Sequence, residues 1–82
     1  MLEEMLTYLD LVEEERSLTT SMQELVGMLK ADCVLGKVEY LDYTLSTYKA
    51  SIATTQDEKD FADSVQSHLL EMYLLGKGKN YV

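Results

Sequence analysis

Val38, Leu41, Leu45, Tyr48 and Ile52 succeed one another at alternating steps of three and four, a spacing that lines one side of an α-helix. Little in the chain resists extending this reading to its whole length. Proline is absent, which removes the strongest helix breaker, and glycine is confined to Gly27, Gly36, Gly76 and Gly78. The β-branched residues are scattered rather than alternating with polar ones, so no strand is predicted. The expected fold class is all-α: a small bundle of three to four helices, arranged as two helical hairpins and oligomeric or partner-bound.

The spacing predicts helices over residues 2–16, 21–35, 38–53 and 56–75. Leu2, Met5, Leu6, Leu9 and Val12 make the first stripe, and Leu18, Met22, Leu25 and Leu29 the second. At about 100° per residue the two stripes are centred roughly 150° apart, so one straight helix would point them in opposite directions. The hydroxyl-rich run from Ser17 to Ser21 competes for backbone hydrogen bonds and favours a break there. Ser21 with Glu24 fits the capping box that starts a helix. Gly36 is placed to end the second helix in the left-handed conformation, where a missing Cβ removes the steric penalty. Ala53 to Gln56 interrupts the apolar pattern, and Thr55 with Glu58 offers a second capping box. Asp57, Glu58 and Asp60 then suit the positive end of a helix dipole. Phe61, Val65, Leu69 and Met72 form the core face of the fourth helix, with Gly76 as its expected end. Residues 1–76 are thus read as a single α-helical domain and 77–82 as a flexible tail.

Eighty-two residues bury only about 60% of the surface an unfolded chain exposes, so a core of this size gains from a disulfide, a metal or a partner. Cys33 has no second cysteine to pair with, and His68 stands thirty-five positions away, which is no zinc ligand set. The residue three before His68 is Val65 rather than a carboxylate, and Asp57-Glu58-Lys59-Asp60 lacks the glycine and closing glutamate of a calcium loop. No cofactor and no metal is expected. Cys33 reads as a small core hydrophobe and His68 as a half-buried packing residue, so no catalytic residue is assigned and the chain is not expected to be an enzyme.

The formal charge is −8, and the first 29 residues carry seven of the fifteen acids against Arg16 alone. Such a surface repels phosphate and anionic lipid, so the chain is expected to bind neither nucleic acid nor membrane directly. Met1 to Glu4 lack the basic start and apolar run of a signal peptide, and the default location is cytoplasmic.

Apolar residues off the stripes carry the functional expectation. Tyr40 and Tyr43 lie roughly 120° and 180° from the stripe of the third helix. Leu70, Tyr73 and Leu74, with Leu69, Met72 and Leu75, make the end of the fourth helix apolar on nearly every face. Apolar surface without an intramolecular home finds another chain. Tyr40, Tyr43, Leu70, Tyr73 and Leu74 are therefore the candidate protein interface, and the partner is another protein or a second copy. The first functional reading is an adaptor, chaperone or inhibitor that acts by binding protein. A self-assembling structural subunit is the second, which a monomer in solution would exclude. The third is an acidic mimic of nucleic acid that blocks a nucleic-acid-binding protein, and strong salt sensitivity of its complex would mark it.

Overall fold

Side chains at the helix ends explain where each element starts and stops. The computed structural model describes residues 2–80, with side chains through Leu74. Among these residues there are four α-helices, one π-helical turn and no strand. Helix α1 spans Leu2–Glu15, α2 Thr20–Leu35, α3 Val38–Thr47 and α4 Gln56–Asn80, with the π-turn over Tyr48–Ile52. The all-α fold expected from the spacing is the one observed.

The break between α1 and α2 falls in the hydroxyl-rich run, but Thr19 makes the cap. Its backbone is extended, and its hydroxyl accepts from the Met22 amide at 3.2 Å. The box expected from Ser21 and Glu24 is not used, because Ser21 lies inside α2 with its Oγ 2.7 Å from the Tyr48 hydroxyl. A buried tyrosine hydroxyl needs a polar partner, and Ser21 supplies one.

Gly36 ends α2 as expected, with φ at 79° and its amide donating to the carbonyls of Asp32 and Cys33. Nothing lies within 4 Å of a Cβ built there or at Gly27. Packing therefore does not set the effect of an alanine at either position; backbone conformation does. Gly36→Ala should destabilise by about 1 kcal/mol, because a Cβ is penalised in the left-handed region. Gly27→Ala, inside α2, should instead stabilise by up to about 1 kcal/mol. Urea melts of the two variants should move in opposite directions.

The third stripe holds for Leu41, Leu45 and Tyr48, all fully buried, but not for Ile52. The cause is the π-turn, in which the Ala53 amide donates to the Tyr48 carbonyl at 2.8 Å across five residues. The wider turn rotates the chain, so Ile52 is 40% exposed and Ala53 packs on the core in its place. The single helix predicted over 38–53 is thus an α-helix followed by a π-turn.

Thr55 and Glu58 form the predicted box reciprocally: the Glu58 amide donates to Thr55 Oγ1, and the Thr55 amide to Glu58 Oε1, both at 3.1 Å. Helix α4 runs to Asn80 rather than stopping at Gly76. Glycine costs a helix about 1 kcal/mol relative to alanine without forbidding it, and no proline follows. Of the tail expected over 77–82, Tyr81 and Val82 lie outside the described residues.

One core unites the helices. Met5, Leu9 and Val12 of α1 meet Leu25, Val26, Leu29 and Cys33 of α2, with Leu41, Leu45 and Tyr48 facing Phe61, Ala62, Val65 and Leu69. Polar ties fix the lateral order. Lys30 of α2 holds Asp10 and Glu13 of α1, and Thr44 of α3 donates to Asp32 of α2 at 2.6 Å. Lys49 bonds Asp63 at 2.8 Å and Gln66 at 2.6 Å, and Gln66 donates to Asp42 at 3.0 Å, so the α3 segment lies antiparallel to α4. Tyr8 stacks on His68 with centroids 3.8 Å apart, which closes α1 against α4. With 25 residues α4 is about 37 Å long at 1.5 Å per residue and accounts for most of the 42 Å long axis.

Candidate functional site

Beyond the bridge from Gln66 to Asp42, towards the start of α3, the two helices leave a groove of about 570 Å³. Val38, Glu39 and Asp42 line it from α3, and Gln66, Ser67, Leu69, Leu70 and Tyr73 from α4. Leu69 is a core residue whose edge reaches the groove, whereas Leu70 is 57% exposed and Tyr73 40%. Leu74, also 57% exposed, follows Leu70 by one helical turn and carries the apolar surface beyond the groove. The apolar strip on α4 thus combines a recess with a ridge. Two carboxylates, Glu39 and Asp42, stand on the α3 wall, and among the described residues no basic side chain lines the groove.

All five residues expected at an interface are exposed, but they do not form one patch. Leu70 and Tyr73 line the groove, and Leu74 extends it. Tyr40 and Tyr43 lie elsewhere on α3. Thr44 marks the side of α3 that faces α2, and Tyr40 sits one turn before it on that side. Asp42 marks the side facing α4, and Tyr43, 73% exposed, is turned about 100° further from it. The side chain of Leu75 lies outside the described residues. Of the other lining residues, Val38 and Leu69 belonged to core stripes, and the polar Glu39, Asp42, Gln66 and Ser67 were not singled out from the sequence. Val34 and Leu35, 80% and 64% exposed at the end of α2, were also passed over. Both fall off the stripe formed by Met22, Leu25 and Leu29, which is the signal that could have marked them.

The titratable groups in the interior serve the fold. Glu58 is buried at 6% exposure, and its Oε1 accepts from both the amide and the hydroxyl of Thr54 and of Thr55, between 3.0 and 3.2 Å. The Tyr48 hydroxyl approaches its Oε2 at 3.5 Å and meets Ser21 at 2.7 Å. Hydrogen bonding from Ser21, then from the Thr54 amide and from Thr55, holds the Glu58 carboxyl at about 2, against an ordinary 4.5 and despite its burial. Burial pushes the Tyr48 hydroxyl up, and the neighbouring Glu58 charge adds to this. Neither group is poised to exchange a proton near neutrality. Cys33 is buried, and burial followed by the Asp32 charge raises its thiol, the wrong direction for a nucleophile. Burial also raises the Tyr8 hydroxyl, whose ring carries the stack with His68.

Among the described residues no group of three histidine, cysteine or acidic side chains converges to hold a metal ion. Within the same limits, no helix is long and apolar enough to cross a membrane. No protein-family profile, no characterised protein sequence and no solved structure matches this chain significantly.

Proposed function

We propose that this chain is a non-enzymatic protein-binding module, of the adaptor, chaperone or inhibitor kind, that acts through the α3–α4 groove and the α4 ridge. The observation that carries the reading is the continuous run of Val38, Leu70, Tyr73 and Leu74 at the surface of one helix pair. Single exposed leucines are ordinary on any protein. An apolar recess continued by a ridge is the form that receives another chain, and tyrosine and leucine there offer contact area to a helix laid along it. Among the described residues the lining holds no histidine or cysteine, and its polar groups are two carboxylates, an amide, a serine hydroxyl and the Tyr73 hydroxyl, with Asp42 and Gln66 already bonded to each other. That inventory suits recognition better than proton or group transfer.

A photo-crosslinking side chain tests the reading. p-Benzoylphenylalanine in place of Leu74 should capture another protein chain in the cells that make this protein, whereas the same group in place of Glu4, exposed on α1, should not. Equal capture at both positions, or none at Leu74, would remove the groove and ridge from the function. A self-assembling subunit is the second reading, favoured by the same ridge. It requires the chain captured at Leu74 to be a second copy.

A further inference from the structure

Charge around the groove narrows its partner, on the footing that the chain binds protein there. Glu39 and Asp42 stand on the α3 wall, both exposed, with only one Asp42 oxygen engaged, by Gln66. Among the described side chains no cation lines the groove to offset them. Lys49 is held by Asp63 and Gln66 on the far side of the bridge, and Lys37, just before Val38, is not among the lining residues. The whole chain carries −8. A second copy seated here in a twofold contact would bring two acidic walls and two such charges together, an arrangement that opposes association.

The shape narrows it further. From Gln66 to Leu74 the strip covers about 12 Å of α4 at 1.5 Å per residue, or slightly more than two helical turns. It continues past the recess onto an exposed ridge, so a compact small molecule would leave Leu74 uncovered. A helix lying along it would present apolar residues at i, i+3 or i+4 and i+7 over the same length.

We propose that the groove receives a basic amphipathic helix of another protein, its apolar stripe over Leu70, Tyr73 and Leu74 and its flanking lysines or arginines against Glu39 and Asp42. The pairing would set orientation and speed encounter, while the apolar contact supplies most of the affinity.

Two fluorescein-labelled helical peptides with the same leucine stripe, one flanked by lysines and one by glutamates, test this by anisotropy against the full chain. The lysine peptide should bind, the glutamate peptide should not, and binding should weaken as salt rises towards about 1 M, where the screening length is about 3 Å. Glu39→Gln with Asp42→Asn should weaken the lysine peptide about fivefold, as loss of two exposed ion pairs implies. Glu3→Gln with Glu4→Gln, the same change in net charge on α1, should leave it nearly unchanged. Equal weakening by both pairs would show attraction to net charge alone and overturn the proposal, as would failure of the lysine peptide to bind or equal binding of the glutamate peptide. A dimer seen by sedimentation and dispersed by Leu70→Glu would also overturn it, yet leave the protein-binding reading standing. Absence of capture at Leu74 would instead defeat that broader reading.

Discussion

Leu45→Ala should cost about 2–5 kcal/mol, the range for removing a large aliphatic side chain from a packed interior. Leu45 is fully buried in the last turn of α3 and shares one cluster with side chains from the other three helices. The antiparallel seat of α3 against α4 leaves the neighbours little freedom to collapse into the space, because Gln66 and Lys49 tie the two segments on the solvent side. Domains of this kind hold about 5–15 kcal/mol in total, so the variant should melt far below the parent or fail to fold at physiological temperature. Tyr43→Ala, two residues earlier and 73% exposed, is the control and should change stability by less than about 0.5 kcal/mol. Equal melts for Leu45→Ala and the parent would place Leu45 outside the core.

Glu58→Gln should remove a stabilisation that depends on pH. The carboxyl titrates near 2 in the folded chain and at its ordinary 4.5 when unfolded, so on acidification the unfolded chain takes up the proton first. The contribution is therefore fully present above about pH 4.5 and is lost as pH falls through 2. The parent should melt well above Glu58→Gln at neutral pH, and the gap should close between those two values. An amide keeps one acceptor but cannot carry the charge that four donors from Thr54 and Thr55 stabilise. A gap that stays constant across this range would mean the cap works through shape rather than charge.

Local chemistry was legible wherever it stayed local. The stripes of α1, α2 and α4, the reciprocal box of Thr55 and Glu58 and the left-handed Gly36 each depend on residues a few positions apart, and each is found where the spacing puts it. The misplacements share a tertiary cause. Ser21 looked like a cap because the Tyr48 hydroxyl, twenty-seven residues away, was not visible as its partner. Ile52 looked like core because a stripe drawn at constant pitch cannot register a π-turn. Exposure of the five interface candidates followed from the same helical geometry. Their division did not, because only the packing of α3 between α2 and α4 separates Tyr40 and Tyr43 from Leu70 and Tyr73. The groove itself needed two helices side by side, and no single stripe announces one.

On the proposed function the α4 ridge is a surface for another chain and not part of this one's interior. Leu70 and Leu74, one turn apart and each 57% exposed, can be replaced together by glutamate, a good helix former. Association of the double variant with another protein is the measurement, followed by crosslinking in the cells that make this protein, beside circular dichroism of the purified chain. Helicity and melt should be unchanged and association lost, since two carboxylates would be buried unpaired at the contact. An unfolded double variant would put the ridge in the core, and a folded one that associates as the parent does would take Leu70 and Leu74 out of the interface.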